Sequence, residues 1–312
     1  MKIFISIASY CDELLFFTIA NCLENAAYPE NLSFGVVDQN ECSQKEKLNS
    51  LDLKERLRYV YIDKLETQGV SWARNIAFSL WSDEEFLLQI DSHSLFEKNW
   101  DLTLFEQYDK LKKISEKPII STYPYDFSFD ENNNPVFKEQ SDKYVLVLRP
   151  HPESTLTQES AVLRFRANHQ RSDEAILGCH IAAGFIFTSS KFIQEIPYDP
   201  FLYFHGEEQS LSIRAYTRGW DIYHPNKIPL YHHYKKINEE HLTHHWHKSV
   251  DTKRSLDSLF LRNRATQRIN RIFYGDGMKQ SVYGLGDSKS LDQFIAFSGI
   301  DFKNKTTVTT LM

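Results

Sequence analysis

No CxxC pair occurs in this chain. Its four cysteines, Cys11, Cys22, Cys42 and Cys179, stand far apart, which argues against a disulfide framework and suits reduced thiols in a cytoplasmic protein. No segment approaches the roughly 18 consecutive apolar residues that a transmembrane helix needs. The opening MKIFISIASY holds one lysine and a short apolar stretch that is quickly interrupted, unlike a signal peptide. Positive charge is not in excess: 36 Lys and Arg stand against 42 Asp and Glu, for a net charge of −6. That balance gives no reason to expect nucleic acid or an anionic membrane as partner. Internal repeats and low-complexity tracts are also missing. A soluble, cytoplasmic protein without a transmembrane segment is expected.

What is present is a large stock of core-forming side chains. With 312 residues, 41% hydrophobic and 14% aromatic, the chain can bury one large domain, or one domain with an extension. The first third alternates strand-like and helix-like segments. KIFISIASY (2–10), LSFGVVDQN (32–40), LRYVYIDK (57–64) and EFLLQID (85–91) read as strands. DELLFFTIANCLENA (12–26), with Asp12 as a candidate N-cap, and QGVSWARNIAFSLW (68–81) read as helices. This β-α-β order predicts an α/β, Rossmann-like parallel sheet, which binds ligands at the carboxyl ends of its strands. Further on, DFSFDENNNPVF (126–137) is a hairpin or loop, HGEEQSLSIRAYTRGW (205–220) a helix, WDIYHP (220–225) and IPLYHHY (228–234) short strands, and the tail from about 250 helical.

The strand LLQI ends in Asp91, Ser92 and His93. In an extended segment residues i and i+2 face the same side, so Asp91 and His93 can offer one oxygen and one nitrogen to a single divalent ion. Two such ligands leave room in the coordination shell for phosphate oxygens. The plain alternative is a polar turn at a strand end. A third ligand could come from the histidine-rich region, where seven of twelve histidines fall between 224 and 247. His232 and His233 end an apolar strand, so one of them must point inward. The HLTHHWH cluster, with His241, His244, His245 and His247 at helical spacings, could imitate a zinc site, but its plain reading is a wet surface helix or loop.

EFLLQIDSHSLFEKNWD, AAGFIFTSSKFIQEIPYDPFLYFHGEEQSLSIRAYTRGWDIYHP and LYHHY, taken in order, resemble the GlcNAc-transferase family of cytoplasmic hydroxyproline-polypeptide α-N-acetylglucosaminyltransferases and their bacterial relatives. They are more distantly similar to the polypeptide GalNAc-transferases. The resemblance covers about residues 1–235. It implies a GT-A glycosyltransferase fold over 1–248, with a mainly helical extension over 249–312 packed on it. It further implies Mn2+ (or Mg2+) held by Asp91, His93 and His232, with His233 the alternative in register, against the diphosphate of UDP-GlcNAc. Gly69, Ser71, Arg74 and Ser92 would line the nucleotide pocket, and Ala182, Ala183 and Gly184 would let the donor sugar lie against backbone. Glu207 and Glu208 would sit beside donor and acceptor, with Asp91 in the catalytic set. Ala8, Ser9, Tyr10 and Asp12 match the uridine site by position only.

Each of these residues also has an ordinary structural reading. Gly206 and Glu207 could start a helix, the AAG stretch could serve packing, and Ser9 and Asp12 could cap the first helix. Tyr203, Phe204 and Trp220 could be core. Three functions are therefore weighed: a metal-dependent transferase moving a sugar from a UDP-sugar to a protein or glycan hydroxyl with retention, a non-catalytic nucleotide-sugar or glycan-binding relative, and a zinc hydrolase built on the histidine cluster.

Overall fold

A computed structural model describes residues 1–138, 140–234 and 244–307 of the chain. The first half runs β1 (Ile3–Tyr10), α1 (Leu15–Asn25), β2 (Leu32–Gln39), a short α2 (Lys45–Asn49), β3 (Leu57–Tyr61), α3 (Val70–Ser79) and β4 (Phe86–Asp91). β1 lies between β2 and β4 and is parallel to both, and β3 continues the sheet parallel to β2. β2 is buried along its whole length and β1 along most of it. Covering on both faces is why these strands read as near-continuous apolar runs.

One expectation at the start of α1 is corrected. The helix begins at Leu15, its N-cap is Leu14, and no side chain caps it. Asp12 stands outside, beyond a turn in which Cys11 adopts φ 46. Its carboxylate is drawn to Ser92 and His93 instead.

After β4 come β5 (Ser94–Phe96), α4 (Trp100–Lys112), β6 (Pro118–Ser121) and the hairpin β7 (Tyr125–Phe129) and β8 (Pro135–Phe137). An antiparallel ribbon of β9 (Tyr144–Pro150) and β10 (Phe165–Arg171) follows. Then come β11 (Ile176–Gly178), β12 (Phe185–Ser189), α5 (Lys191–Glu195), α6 (Glu207–Thr217), β13 (Asp221–His224) and β14 (Leu230–His232). The main sheet has the order β11-β13-β6-β12-β4-β1-β2-β3.

It is mixed, where an all-parallel sheet is expected from the sequence: β12 runs antiparallel to both β4 and β6, and β11 antiparallel to β13. The reversal has a structural consequence. The start of β12, with Ala182 to Gly184 just before it, falls at the carboxyl ends of β1 and β4.

The second consequence comes from a smaller sheet of order β5-β14-β7-β8. The Asp-Ser-His corner ends β4 and launches β5 into this sheet. β14 returns antiparallel to β5, with His232 paired to Ser94, and the His233 amide donates to the His93 carbonyl at 2.9 Å. A residue far along the chain thereby lands beside the corner.

The C-terminal part comprises α7 (Lys248–Asp251), α8 (Ser258–Tyr274), α9 (Leu291–Ser298) and the strand pair β15 (Ile300–Asp301) and β16 (Thr306–Thr307). Leu261, Ala265, Ile269, Ile272 and Phe273 form one apolar face of α8 and share a core with Leu163, Leu202, Tyr203 and Ile213. α7 runs across the expected boundary between 248 and 249. Most of the TTVTTLM tail lies outside the described residues.

Candidate functional site

A cleft of about 590 Å³ opens at the carboxyl ends of β1 and β4, and Asp91, Ser92, His93 and His232 form part of its wall. Asp91 is flanked by Ala8 on β1 and by Gly184 just before β12. A Cβ on Gly184 would stand 2.8 Å from the Asp91 Oδ2. Only a glycine lets the backbone approach this closely without moving the carboxylate.

Arg74 comes from α3, whose N-cap is Gly69 at φ 101. A Cβ there would meet the Tyr203 carbonyl oxygen at 2.1 Å, so glycine is required on both backbone and contact grounds. Arg74 is 5% exposed. Its Nη1 donates to Glu207 Oε1 at 2.7 Å and its Nη2 to Asp91 Oδ1 at 2.8 Å. One buried guanidinium thus ties the end of β4 to the start of α6, with the planar fork that arginine alone supplies.

Among the described residues, one group of three or more metal-capable side chains converges: Asp91, His93 and His232, with ligand atoms all within 4.8 Å of one another. His93 Nε2 and His232 Nε2 face each other at 3.0 Å, and His232 Nε2 lies 3.1 Å from Asp91 Oδ2. Two ligands bound at about 2.1 Å to one ion and about 90° apart are separated by about 3 Å. The donor set therefore fits a divalent cation. Burial of His232 lowers its pKa although Asp91 opposes the shift, which keeps the ring neutral, the form a metal ligand needs. Burial would raise the Asp91 carboxyl, yet the His232 hydrogen bond and the Arg74 charge hold it well below the ordinary range. His233 points the other way: its Nδ1 meets the Phe127 carbonyl at 3.0 Å.

Glu207 and Glu208 open α6 after Gly206, which sits in the left-handed region at φ 85. They behave differently. Glu207 is 5% exposed, and its Oε2 has no hydrogen-bond partner. Burial pushes its carboxyl above the usual range, with the charges of Glu208 and Asp91 adding to the shift and Arg74 opposing it. Glu208 accepts from the Ala183 amide at 2.8 Å and lies 3.6 Å from His180 Nε2. Burial would raise it, but these two partners bring it down.

The remaining residues singled out from the sequence divide. Ala8, Tyr10, Asp12, Gly69 and Ser92 line the cleft. Ser9 is fully buried in β1, on the opposite side from Ala8 and Tyr10, and its hydroxyl has no partner. Ala182 and Ala183 are fully buried, and Ala183 contributes its backbone amide to Glu208. Ser71 is buried and donates to the Asp199 carbonyl. Tyr203 and Trp220 are core, whereas Phe204 is exposed and on the cleft wall.

The reading of HLTHHWH as a wet surface helix or loop is corrected at His245, while His247 is exposed. His241 lies outside the described residues. His245 is buried against Tyr10 and bonded to the Tyr203 hydroxyl, and Trp246 joins it in the wall. Arg254 explains this order, since its guanidinium donates to the Tyr203 hydroxyl, the His245 carbonyl and the Thr67 carbonyl.

Sequence reasoning also passed over Tyr123, His180 and Tyr234, all in the wall. His180 stacks on Phe165 with ring centroids 3.4 Å apart. Tyr234 had a usable signal: it stands two residues after His232 in a segment read as extended, and the two ring centroids lie 4.2 Å apart.

The family model described as Glycosyltransferase (GlcNAc) matches residues 40–304. No curated protein sequence matches the chain. Among solved structures, GalNAc-T7 with UDP, GalNAc and Mn2+ superposes with a TM-score of 0.61 at 14% identity, over 95% of this chain and 55% of that one. S. aureus TarS 1-349 in complex with UDP-GlcNAc gives 0.44 at 14% identity, over 88% of this chain and 73% of that one. The chain thus spans about half the length of the GalNAc-T7 chain it matches. Sheet order, cleft position and the likeness to GalNAc-T7 agree on a GT-A fold, and the match over 40–304 means that the chain belongs to the glycosyltransferase (GlcNAc) family.

Proposed function

We propose that this protein transfers a sugar, with GlcNAc the leading donor sugar, from a UDP-sugar to a hydroxyl of a protein or glycan, with retention of configuration and in dependence on Mn2+ or Mg2+. The observation that carries the reading is the convergence of Asp91, His93 and His232 at the carboxyl end of β4, tied through Arg74 to Glu207, in a chain of this family. The family description favours GlcNAc over GalNAc.

A divalent ion held by these three side chains would offset negative charge on the departing UDP. Tyr10, Gly69 and Ser92 would line the nucleotide's side of the cleft, and Gly184 would admit the sugar against backbone. Arg74 keeps Asp91 ionised and aimed. Glu207 already gives one oxygen to Arg74, and its unpartnered Oε2 is left to hydrogen-bond a sugar or acceptor hydroxyl. On a front-face route it would position rather than attack. A front-face route, in which the leaving phosphate oxygen takes the acceptor's proton, needs no protein base and gives retention.

Residues 1–248 would carry donor binding, and 249–312 would support the acceptor side through α8. The chain's widely spaced free cysteines suit action in a reducing cytoplasm; among the described residues no helix is long and apolar enough to cross a membrane. The test is UDP release from a panel of UDP-sugars with and without Mn2+, followed by a search for labelled acceptors in lysate. Metal-dependent release from UDP-GlcNAc above the other sugars is expected. Nucleotide binding without turnover for any sugar would replace this reading with a non-catalytic relative, and turnover retained in both D91N and H93A would overturn the metal assignment.

A further inference from the structure

We propose that Asp12 is a positioning residue that locks His93 in the form protonated at Nδ1, so that the Nε2 lone pair points toward Asp91 and His232. The inference rests on the metal reading above. It departs from the uridine contact that Asp12's place at the end of β1 suggests, and Asp12 precedes residue 40, where the family match begins.

The geometry is specific. Asp12 is 4% exposed, and its Oδ2 lies 2.5 Å from His93 Nδ1. Both carboxylate oxygens already act as acceptors, Oδ2 from the Ser92 hydroxyl and Oδ1 from the Leu14 amide, and accepting from the ring as well places the ring proton on Nδ1 and the lone pair on Nε2. Nε2 is the atom that faces His232 Nε2 at 3.0 Å.

Asp12 is itself held from several directions. Oδ2 also accepts from the Ser92 hydroxyl at 2.7 Å, and Oδ1 accepts from the Leu14 amide at 3.0 Å. Its own amide donates to Asn40 Oδ1 at 2.7 Å, and Asn40 is pinned in turn by Asp38. Both carboxylate oxygens are thus engaged by protein groups, and the carboxylate is aimed at the ring from the turn that follows β1. A carboxylate behind a ligating imidazole fixes its tautomer and raises its basicity. Removing such a partner typically lowers metal affinity by about 10- to 100-fold.

The experiment measures Mn2+ binding to the full chain without nucleotide, by electron paramagnetic resonance, and UDP binding without metal, by calorimetry, for the wild type, D12N and H93A. D12N is expected to weaken Mn2+ binding by about 10- to 100-fold while metal-free UDP binding stays unchanged. Unaltered Mn2+ affinity in D12N, with H93A impaired, overturns the role of Asp12 alone. Loss of metal-free UDP affinity with Mn2+ affinity kept would make Asp12 a nucleotide ligand and also overturn it. Unaltered Mn2+ affinity in H93A would instead remove the metal reading. Should D12N fail to fold, nitrogen-15 spectra of histidine in the wild type decide the matter: His93 protonated at Nδ1 is expected, and protonation at Nε2 alone overturns the proposal.

Discussion

His93 and His232 point their Nε2 atoms at each other across 3.0 Å, although 139 positions separate them in the chain. With His232 neutral, such an approach is favourable only if a shared proton or a cation lies between the rings. His232→Ala should therefore lower Mn2+-dependent UDP release by at least about 100-fold, as loss of a direct ligand does. His233→Ala, which loses only a contact to the Phe127 carbonyl, should stay close to the wild-type rate. Equal losses in the two variants would show that the register of β14 has been misread.

Arg74 serves two carboxylates at once, the buried Glu207 and the half-buried Asp91. Its removal leaves Asp91 and Glu207 close together with no counter-charge, a situation that costs about 3–5 kcal/mol when one partner of a buried pair is deleted. Arg74→Met should lower the denaturant midpoint accordingly, and Arg74→Lys should recover only part of the loss because one ammonium cannot reproduce the fork. A midpoint unchanged in Arg74→Met would mean that the bridge contributes nothing to stability.

Two glycines offer a contrast between stability and function. Gly69→Ala forces a side chain into the left-handed region and against the Tyr203 carbonyl; a loss of about 1–3 kcal/mol from backbone strain alone is expected in urea unfolding. Gly184→Ala places a methyl group against Asp91 Oδ2 at an ordinary φ. It should leave the fold nearly as stable while weakening Mn2+ binding. Unchanged Mn2+ affinity in Gly184→Ala would count against Asp91 as a ligand.

His224 makes a prediction about pH. It is fully buried, its Nδ1 meets the Ser121 carbonyl at 2.7 Å, and burial pushes its pKa down to about 4. In the unfolded chain histidine titrates near about 6.5. Above that value neither state binds the proton. As pH falls from about 6.5 to about 4 the unfolded chain takes up a proton that the folded chain refuses, so stability drops by about 3 kcal/mol. His224→Asn can keep the hydrogen bond to Ser121 but cannot titrate. Urea midpoints measured from pH 7 to pH 4 should fall less steeply in the variant, and parallel curves would refute the assignment.

Much of this was legible in the chain, and some of it could not be. The first four strands stand out because burial on both faces of a sheet selects unbroken runs such as IFISI and FLLQI, a local demand that sequence records directly. Asp91 and His93 were visible for a similar reason, since two residues at spacing two on an extended segment share a side. The reversal of β12 was not legible: FIFTS has the same composition whichever way it runs. Asp12 looked like a helix cap because caps and ligand-orienting carboxylates use the same short acidic side chain. His245 looked exposed because its partners, Tyr10, Tyr203 and Arg254, are scattered over the chain.

By itself, then, the sequence determined the first four strands and the Asp-Ser-His corner, which follow from periodicity over a few residues. Tertiary structure alone decided which histidine joins that corner and what stands behind it. β14 must pair with β5 before His232 faces His93, and β1 must lie beside β4 before Asp12 reaches the ring. Those contacts join residues 81 and 139 positions apart, and pairing at such separations is set by how the sheets assemble rather than by any local pattern.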